Sequence, residues 1–251
     1  MSRTEAEFER VKQLVSEGLS DYAIARTTGI PRPTVRCWRR RNDPPRSASR
    51  RYPWQVTDPD AYCYVLGCYL GDGHVNQRSA NGWELRIACD QRYPGIMAEI
   101  GIALVVTFPG SQPTRFAAST GASDVLRISH PGVAAAFPQH GRGPKHRRAI
   151  ALAKWQAELT HAHPAALVRG LIHSDGCRAA NRFKTRLPSG RVAEHSYIRY
   201  FFSNMSSDIR QIFQEHCEVL GIRVTQSNPR NLSVSRRDSV AILEQIVGEK
   251  T

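Results

Sequence analysis

Gly67-Cys68-Tyr69-Leu70-Gly71-Asp72-Gly73 decides the fold, because it recurs about a hundred residues later as Gly170-Leu171-Ile172-His173-Ser174-Asp175-Gly176. Each copy follows an apolar run that predicts a helix, one starting at Asp58-Pro59 and the other at Pro164. A small residue four positions after the first glycine lies on the same helical face. Such faces let two helices approach backbone to backbone. The repeat therefore predicts two related halves that meet at two helices through four small residues: Gly67, Gly71, Gly170 and Ser174.

An aspartate closes each of these predicted helices. Asp72 and Asp175 fall at helix C-termini, where the macrodipole already carries partial negative charge. Two neighbouring carboxylates at such ends repel each other, and a divalent cation reverses the sign of that energy. The alternative is that Asp-Gly is an ordinary turn after a helix. The matched second copy favours the cation site.

At these residues the sequence resembles a known family. Both segments resemble the LAGLIDADG motif of homing endonucleases, with Asp72 and Asp175 at the acidic position before the last glycine. Leu70 and His173 stand where the family often has a further aspartate. The resemblance implies a two-repeat, single-chain, bacterial-type endonuclease. It also implies that Mg²⁺ (or Mn²⁺) is held by the two aspartates, helped by backbone oxygens near Gly71 and Ser174.

Composition indicates a polyanionic partner. The 251 residues carry a net charge of +13, with thirty arginines and five lysines. Such a basic chain favours nucleic acid, and guanidinium groups suit bidentate contacts to phosphate and guanine. We therefore expect double-stranded DNA as the partner of a monomeric protein.

Other function classes have weaker support. The six cysteines form no CxxC pair, which favours reduced thiols over zinc ligands. The charged start and the lack of a long apolar run predict a cytoplasmic, nucleoid-associated protein without a membrane partner. A phosphate-cradling glycine loop is missing from the sequence, so we expect no nucleotide cofactor.

Residues 21–38 resemble a helix-turn-helix. Ala25 lets the helices approach, and Gly29 allows the positive φ of the turn. The predicted small core consists of Ile24, Ile30, Val35 and Trp38. The recognition helix would present to the major groove Arg32, Thr34, Arg36 and Arg39. The alternative is a basic helical hairpin without that role, and the motif indicates DNA binding without specifying an activity.

After each Asp-Gly the pattern changes from helix to strand. Two hairpins separated by one helix and followed by another predict the order αββαββα in each half. The predicted fold class is α+β plus a small all-α helix-turn-helix domain, and the resemblance implies that the two halves form a pseudo-twofold saddle of two antiparallel sheets. The predicted organisation is a helix-turn-helix domain (1–41), a basic Pro/Ser linker (42–57), a first repeat (58–138), a connection (139–162) and a second repeat (163–251).

The family's saddle straddles DNA, which implies that outward side chains of the leading hairpins contact bases and phosphates. A mixture of Arg, Asn and Glu suits direct readout. In the first half these residues are His74, Asn76, Arg78, Glu84 and Arg86. In the second half they are Arg178, Asn181, Arg182, Lys184, Arg186, Tyr197 and Arg199.

The connection between the repeats is rich in glycine, proline and basic residues over 138–148. Lys145, or Arg148, is a candidate catalytic group that neutralises charge near the scissile phosphate. The alternative is a simple linker resting on the DNA backbone. A helix is expected from Ala149 to Leu159, with Trp155 in the core.

Two functions from different classes remain. The first is a site-specific double-strand DNA endonuclease that uses one aspartate from each repeat. The alternative is a transcription regulator built on a non-cleaving LAGLIDADG fold, which retention of both carboxylates disfavours. An intron maturase is a third option, but a helix-turn-helix does not enter the deep groove of A-form RNA.

Overall fold

The chain forms two compact units, Met1–Tyr52 and Pro53–Thr251. Most of the predicted linker, residues 43–53, lies outside the residues that the structure describes. The structure is a computed structural model that describes residues 5–42, 54–79, 82–118, 121–186 and 188–248.

The N-terminal unit contains three helices, α1 (Glu5–Ser16), α2 (Asp21–Thr28) and α3 (Arg32–Arg39). Ser20 caps α2 by accepting a backbone N–H from its first turn at 3.2 Å. Gly29 ends α2 with a φ of 68°, the left-handed conformation that glycine adopts without strain. The turn between α2 and α3 is therefore set by the predicted glycine.

One small apolar cluster holds these three helices together. The edge of Phe8 meets the Trp38 ring at 5.5 Å between centroids, which ties α1 to α3. The predicted core residues are all buried, and the structure adds three from α1. The cluster consists of Phe8, Val11, Leu14, Ile24, Ile30, Val35 and Trp38.

The second unit contains two halves with the same order of elements. The first comprises α4 (Pro59–Asp72), β1 (Gly73–Gln77), β2 (Trp83–Asp90), α5 (Pro94–Thr107), β3 (Thr114–Ala117), β4 (Ser123–Ser129) and α6 (Val133–Ala136). A short 3₁₀ helix (Lys145–Arg147) and α7 (Lys154–Ala162) follow. The second half comprises α8 (Pro164–Asp175), β5 (Gly176–Arg186), β6 (Val192–Ser203), α9 (Ser207–Val219), β7 (Thr225–Asn228), β8 (Asn231–Val234) and α10 (Arg237–Val247).

Each half contributes one four-stranded antiparallel sheet. The strand orders, β1-β2-β4-β3 and β5-β6-β8-β7, correspond position by position. One buried apolar cluster is shared by the helices and the inner sheet faces of both halves. The predicted α+β fold class, with paired αββαββα halves and an additional small helical domain, is confirmed.

The predicted start of α7 was wrong. Residues 149–153 are not helical, and the N–H of Ile150 donates to the Asp208 carboxylate at 2.8 Å. The Gln156 side chain accepts the N–H of Ala153 at 2.9 Å and so caps the start of α7. The alanine-rich sequence alone does not indicate where this helix begins. Trp155, predicted in the core, is 37% exposed and covers the edge of an aromatic cluster.

The first two strands of the second half form a long hairpin. β6 begins at Val192 and pairs with β5 in register as far as Arg186. Cross-strand contacts stabilise this outer part, including the stacked rings of Phe183 and His195, whose centroids lie 4.8 Å apart. The leading hairpin of the second half is therefore longer than that of the first.

α4 and α8 meet backbone to backbone at the four predicted small residues. A methyl group on Gly67 would lie 2.5 Å from the carbonyl oxygen of Leu167. One on Gly170 would lie 3.0 Å from the backbone nitrogen of Cys68, and one on Gly71 would lie 2.6 Å from Cβ of Ser174. The facing backbone leaves no room for a methyl group at Gly67 or Gly170, and at Gly71 the Ser174 side chain fills the space.

We predict that Gly170→Ala destabilises the protein by about 2–3 kcal/mol, because the new methyl group collides with backbone that cannot move aside. Thermal denaturation measures the change. Gly101→Ala in α5 is the matched control, since its methyl group would meet nothing within 4 Å. That control should be about 0.5–1 kcal/mol more stable, and equal melting of both variants would contradict this packing.

Candidate functional site

The two aspartates end the close-packed helices and lie in one place. Asp72 is the last residue of α4 and Asp175 the last of α8, and a strand begins immediately after each. A Cβ on Gly71 would lie 3.0 Å from Oδ2 of Asp175, which places that carboxylate against the last turn of α4. Both aspartates line one cleft of about 1070 Å³. The helix contact thus brings together the two carboxylates that the motif predicts.

Lys145 supplies a positive charge at the end of α4. Its Nζ donates to the carbonyl oxygens of Tyr69, Leu70 and Gly71, the last two at 2.7 Å. Carbonyls in the last turn of a helix have no partner within the helix, and the dipole there favours a cation. Lys145 therefore caps the C-terminal end of α4, directly before Asp72.

The pKa of Lys145 reflects the charges around it. Burial lowers it from 10.5 to about 8, and the carboxylates of Asp175 and Asp72 act in the opposite direction. The ammonium group consequently lies within electrostatic reach of both aspartates. The candidate catalytic lysine and the two candidate metal ligands form one cluster.

Asn204 belongs to the same cluster, and the sequence analysis missed it. Its Nδ2 donates to Oδ2 of Asp175 at 2.6 Å, and its Oδ1 accepts the N–H of Ser206 at 2.7 Å. The second bond fixes which end of the amide faces the carboxylate. Because Phe202 pairs with Gly176, the strand register would have placed Asn204 near Asp175.

The equivalent place in the first half holds Cys89. Gly73 pairs with Ile87 as Gly176 pairs with Phe202, so Cys89 follows Ile87 by the same two residues. Burial raises the pKa of the Cys89 thiol to about 12, with a further contribution from the charge of Asp72. An amide beside one aspartate and a neutral thiol near the other make the two halves chemically different.

The oxygen donors at this site are of the type that a hard cation prefers. Within the described residues, no group of three or more His, Cys, Asp or Glu side chains is placed to hold a metal ion. Mg²⁺ commonly uses only one or two carboxylates, with water and phosphate completing the shell. The Ser174 hydroxyl shares its one hydrogen between the carbonyls of Gly170 and Leu171, both at 3.0 Å.

In the first sheet the predicted DNA-contacting residues share one face. Strand alternation directs Val75, Leu85 and Ile87 into the core. His74, Asn76, Arg78 and Arg86 therefore project from the opposite face.

Glu84 lies on that face, but its side chain is not available to contact a DNA base. It is fully buried, and its carboxylate pairs with Arg86 at 2.6 Å and with Arg78 at 3.3 Å. Asn76 Nδ2 donates to it at 3.4 Å. Glu84 orients its neighbours, and the expectation that it contacts DNA is corrected accordingly.

In the second sheet the predicted residues divide between two faces. Asn181 pairs with Tyr197, and the side chain of Arg199 alternates onto this same face, away from the core. Arg178 projects from the core-facing side of the sheet, and its guanidinium pairs with Glu244 of α10 at 2.7 Å. The prediction that all of these second-half residues face outward was wrong. Strand alternation puts four of them on the core-facing side: Arg178, Arg182, Lys184 and Arg186.

The recognition helix of the N-terminal unit also differs from expectation at one position. Arg32 and Arg36 are exposed, and Thr34 is half-buried. Arg39 instead donates through Nε to the Asp21 carboxylate and through Nη2 to the Leu19 carbonyl, both at 2.6 Å. Arg39 fastens α3 to α2 and is not displayed for a ligand.

Comparisons with known proteins gave two kinds of likeness. Residues 9–44 match the family model described as a homeodomain-like domain. Among solved structures, the LAGLIDADG meganuclease I-AabMI bound to uncleaved DNA is 11% identical, with 74% of this chain and 82% of that chain covered and a TM-score of 0.47. I-DmoI in complex with DNA and Mn is 14% identical, with coverages of 77% and 99% and a TM-score of 0.46.

A third similar structure is the I-LtrWI LAGLIDADG homing endonuclease bound to target DNA, at 8% identity, coverages of 77% and 85% and a TM-score of 0.46. No curated protein matched the chain. None of the helices in the described ranges combines the length and apolar character that a membrane span requires.

We predict that raising the pH above 8 stabilises the wild type relative to Lys145→Met. The folded pKa of Lys145, about 8, lies below the value of about 10.4 of an unfolded lysine, so between these values the unfolded chain binds more protons. Folding of the wild type then becomes relatively more favourable as pH rises. Thermal melting from pH 7 to 10 tests this, and a constant difference would contradict the burial of Lys145.

We also predict that Arg39→Ala destabilises the N-terminal unit by about 1 kcal/mol, since it breaks the contacts of α3 with Asp21 of α2 and with the Leu19 carbonyl that precedes α2. Arg36→Ala should change stability by less than about 0.5 kcal/mol, because Arg36 is exposed. Arg36→Ala should instead weaken DNA binding and reduce the slope of log affinity against log salt concentration by about one. Chemical denaturation and DNA binding at several salt concentrations separate the two roles, and the reverse pattern would refute the assignment.

Proposed function

We propose that this chain is a site-specific, metal-dependent DNA endonuclease that cuts both strands of a duplex. The observation that carries the proposal is the convergence of Asp72 and Asp175 at the ends of two close-packed helices, in one cleft of a strongly basic protein. Each carboxylate comes from one half of a duplicated fold, which suits a substrate with two antiparallel strands.

Asp72 and Asp175, with backbone oxygens at Gly71 and Ser174, would hold Mg²⁺ or Mn²⁺. When bound it stabilises charge on the phosphate under attack and lowers the pKa of a bound water. Asn204 fixes the orientation of Asp175 through its 2.6 Å hydrogen bond. Lys145 holds a positive charge beside the carboxylates, where it offsets the charge that develops on the scissile phosphate.

The outward faces of the two sheets supply the contacts to duplex DNA. In the first half these are His74, Asn76, Arg78 and Arg86, and in the second Asn181, Tyr197 and Arg199. A single chain with two halves needs no second copy to place one aspartate at each strand. Through Arg32 and Arg36 the N-terminal unit adds a second DNA contact, for targeting or for autoregulation. We place this activity in the bacterial cytoplasm, at the nucleoid.

One observation favours the alternative, a DNA-binding regulator that does not cleave. Nζ of Lys145 contacts the carbonyl of Gly71, the same oxygen proposed as a metal ligand. The protein thus already places a cation of its own at the end of α4. Cleavage requires that this lysine share or leave that position when the metal binds, whereas a regulator would keep it in place.

We predict that Asp72→Asn and Asp175→Asn each lower double-strand cleavage by more than about a hundredfold, since loss of even an outer partner of a metal ligand costs up to that much. DNA affinity should stay within a few-fold. The assay incubates a randomised plasmid library with Mg²⁺ and sequences the ends.

Asp60→Asn is the matched control, because Asp60 lies at the opposite end of α4 and pairs with His163 at 2.9 Å. It should cut like wild type. Breaks that persist in either Asp72→Asn or Asp175→Asn would refute the active site. Tight, salt-sensitive DNA binding without breaks under Mg²⁺ or Mn²⁺ would instead establish the regulator.

A further inference from the structure

A groove in the second half lies apart from the candidate active site. It is bounded by the non-helical residues 149–152, by α7 and by α9, and it encloses about 480 Å³. Its lining shares no described residue with the cleft that holds the two aspartates. Ile150 and Ile212 form a buried apolar floor, whereas Val219 at one end is 47% exposed. We call this cavity the α7–α9 groove.

The α7–α9 groove is acidic, although the chain as a whole carries a net charge of +13. Asp208 and Glu215 lie along it, and no lysine or arginine is among the described residues that line it. Such a lining repels the phosphate backbone of a nucleic acid and attracts a cationic partner. The groove therefore has the opposite character to a DNA-binding surface.

Neutral groups satisfy only part of the hydrogen-bonding capacity of these two carboxylates. Asp208 accepts the N–H of Ile150 at 2.8 Å, and Glu215 accepts the side-chain amide of Gln211, also at 2.8 Å. An ionised carboxylate can accept about four hydrogen bonds. Burial lowers the pKa of His216 on the floor of the groove, so this imidazole adds no positive charge at neutral pH. Both carboxylates can therefore accept further bonds from a charged donor.

The spacing of the groove residues along α9 indicates the shape of the partner. Asp208, Ile212, Glu215 and Val219 follow one another at intervals of four, three and four residues. Residues with this spacing share one helical face and are typical of contacts between helices. They extend over about 16 Å, the length of three helical turns. Acidic and apolar groups thus alternate along a track that a second helix can follow.

We infer that the α7–α9 groove binds an amphipathic helix of a partner protein. Lysine or arginine side chains of that helix pair with Asp208 and Glu215, and its apolar side chains pack against Val219. An amphipathic helix lying in an apolar groove is a recurring mode of recognition. Charge complementarity distinguishes this occupant from a second copy of the chain, because two copies with a net charge of +13 each repel one another.

The experiment measures binding of two fluorescent synthetic peptides to the full chain at about 0.15 M salt. Each peptide has about 18 residues and leucines at alternating three- and four-residue intervals, with either lysine or glutamate at the other positions. The net charge of +13 attracts the glutamate peptide, so a preference for the lysine peptide requires a local acidic site. The wild type should bind the lysine peptide roughly tenfold more tightly than the glutamate peptide.

Three variants locate the bound peptide. Glu215→Lys should weaken binding of the lysine peptide about tenfold, because an attractive pair becomes a repulsive one. Ala157→Phe should weaken it at least as much, since Ala157 is an exposed residue of α7 that lines the groove and the larger ring would fill it. Glu218→Lys is the matched control, because Glu218 lies on the same helix but does not line the groove. It should change affinity less than about threefold, and thermal melting shows that each variant is folded.

Equal or tighter binding of the glutamate peptide would overturn the inference. An affinity for the lysine peptide that Glu215→Lys and Glu218→Lys lower equally would also overturn it, since the peptide would then bind outside the groove. Sedimentation that reveals a dimer abolished by Ala157→Phe would assign the groove to a second copy of the chain. No DNA is present, so each of these outcomes leaves the proposed endonuclease function untouched.

Discussion

The close contact between α4 and α8 is the constraint on which the rest of the structure depends. Gly67 and Gly170 let the two backbones touch, and no side chain larger than hydrogen fits at either position. Because each helix leads directly into the first strand of its sheet, this contact also fixes where both sheets begin. The same geometry delivers Asp72 and Asp175 to one cleft. Fold and candidate chemistry therefore share a single packing requirement.

That packing brings negative charge together, and the protein offsets it unequally in its two halves. Lys145 caps the carbonyl end of α4, and Asn204 donates to Asp175. Cys89, in the place equivalent to Asn204, contributes a buried thiol near Asp72. The pseudo-symmetry of the backbone is thus not a symmetry of the chemistry. Under the proposed function, the two strands of a duplex would meet centres with different neighbours.

Much of the architecture could be predicted from local pattern, whereas the contacts within the site could not. The buried positions of the helix-turn-helix and the order of strands follow from periodicity and from glycine turns, which are local signals. The two faces of β5 were misassigned because charge alone does not reveal strand parity, and parity requires the register with β6. The burial of Glu84 and the reach of Lys145 to α4 depend on elements distant in sequence. No local pattern carries that information.

Anomalous diffraction from crystals of the chain with a selected duplex and Mn²⁺ would locate the metal directly. We expect manganese bound to the carboxylate oxygens of Asp72 and Asp175, with phosphate oxygens of both strands completing its coordination. The duplex should lie against the outward faces of the two sheets. Manganese bound elsewhere, or a duplex bound away from the ends of α4 and α8, would contradict the proposed active site.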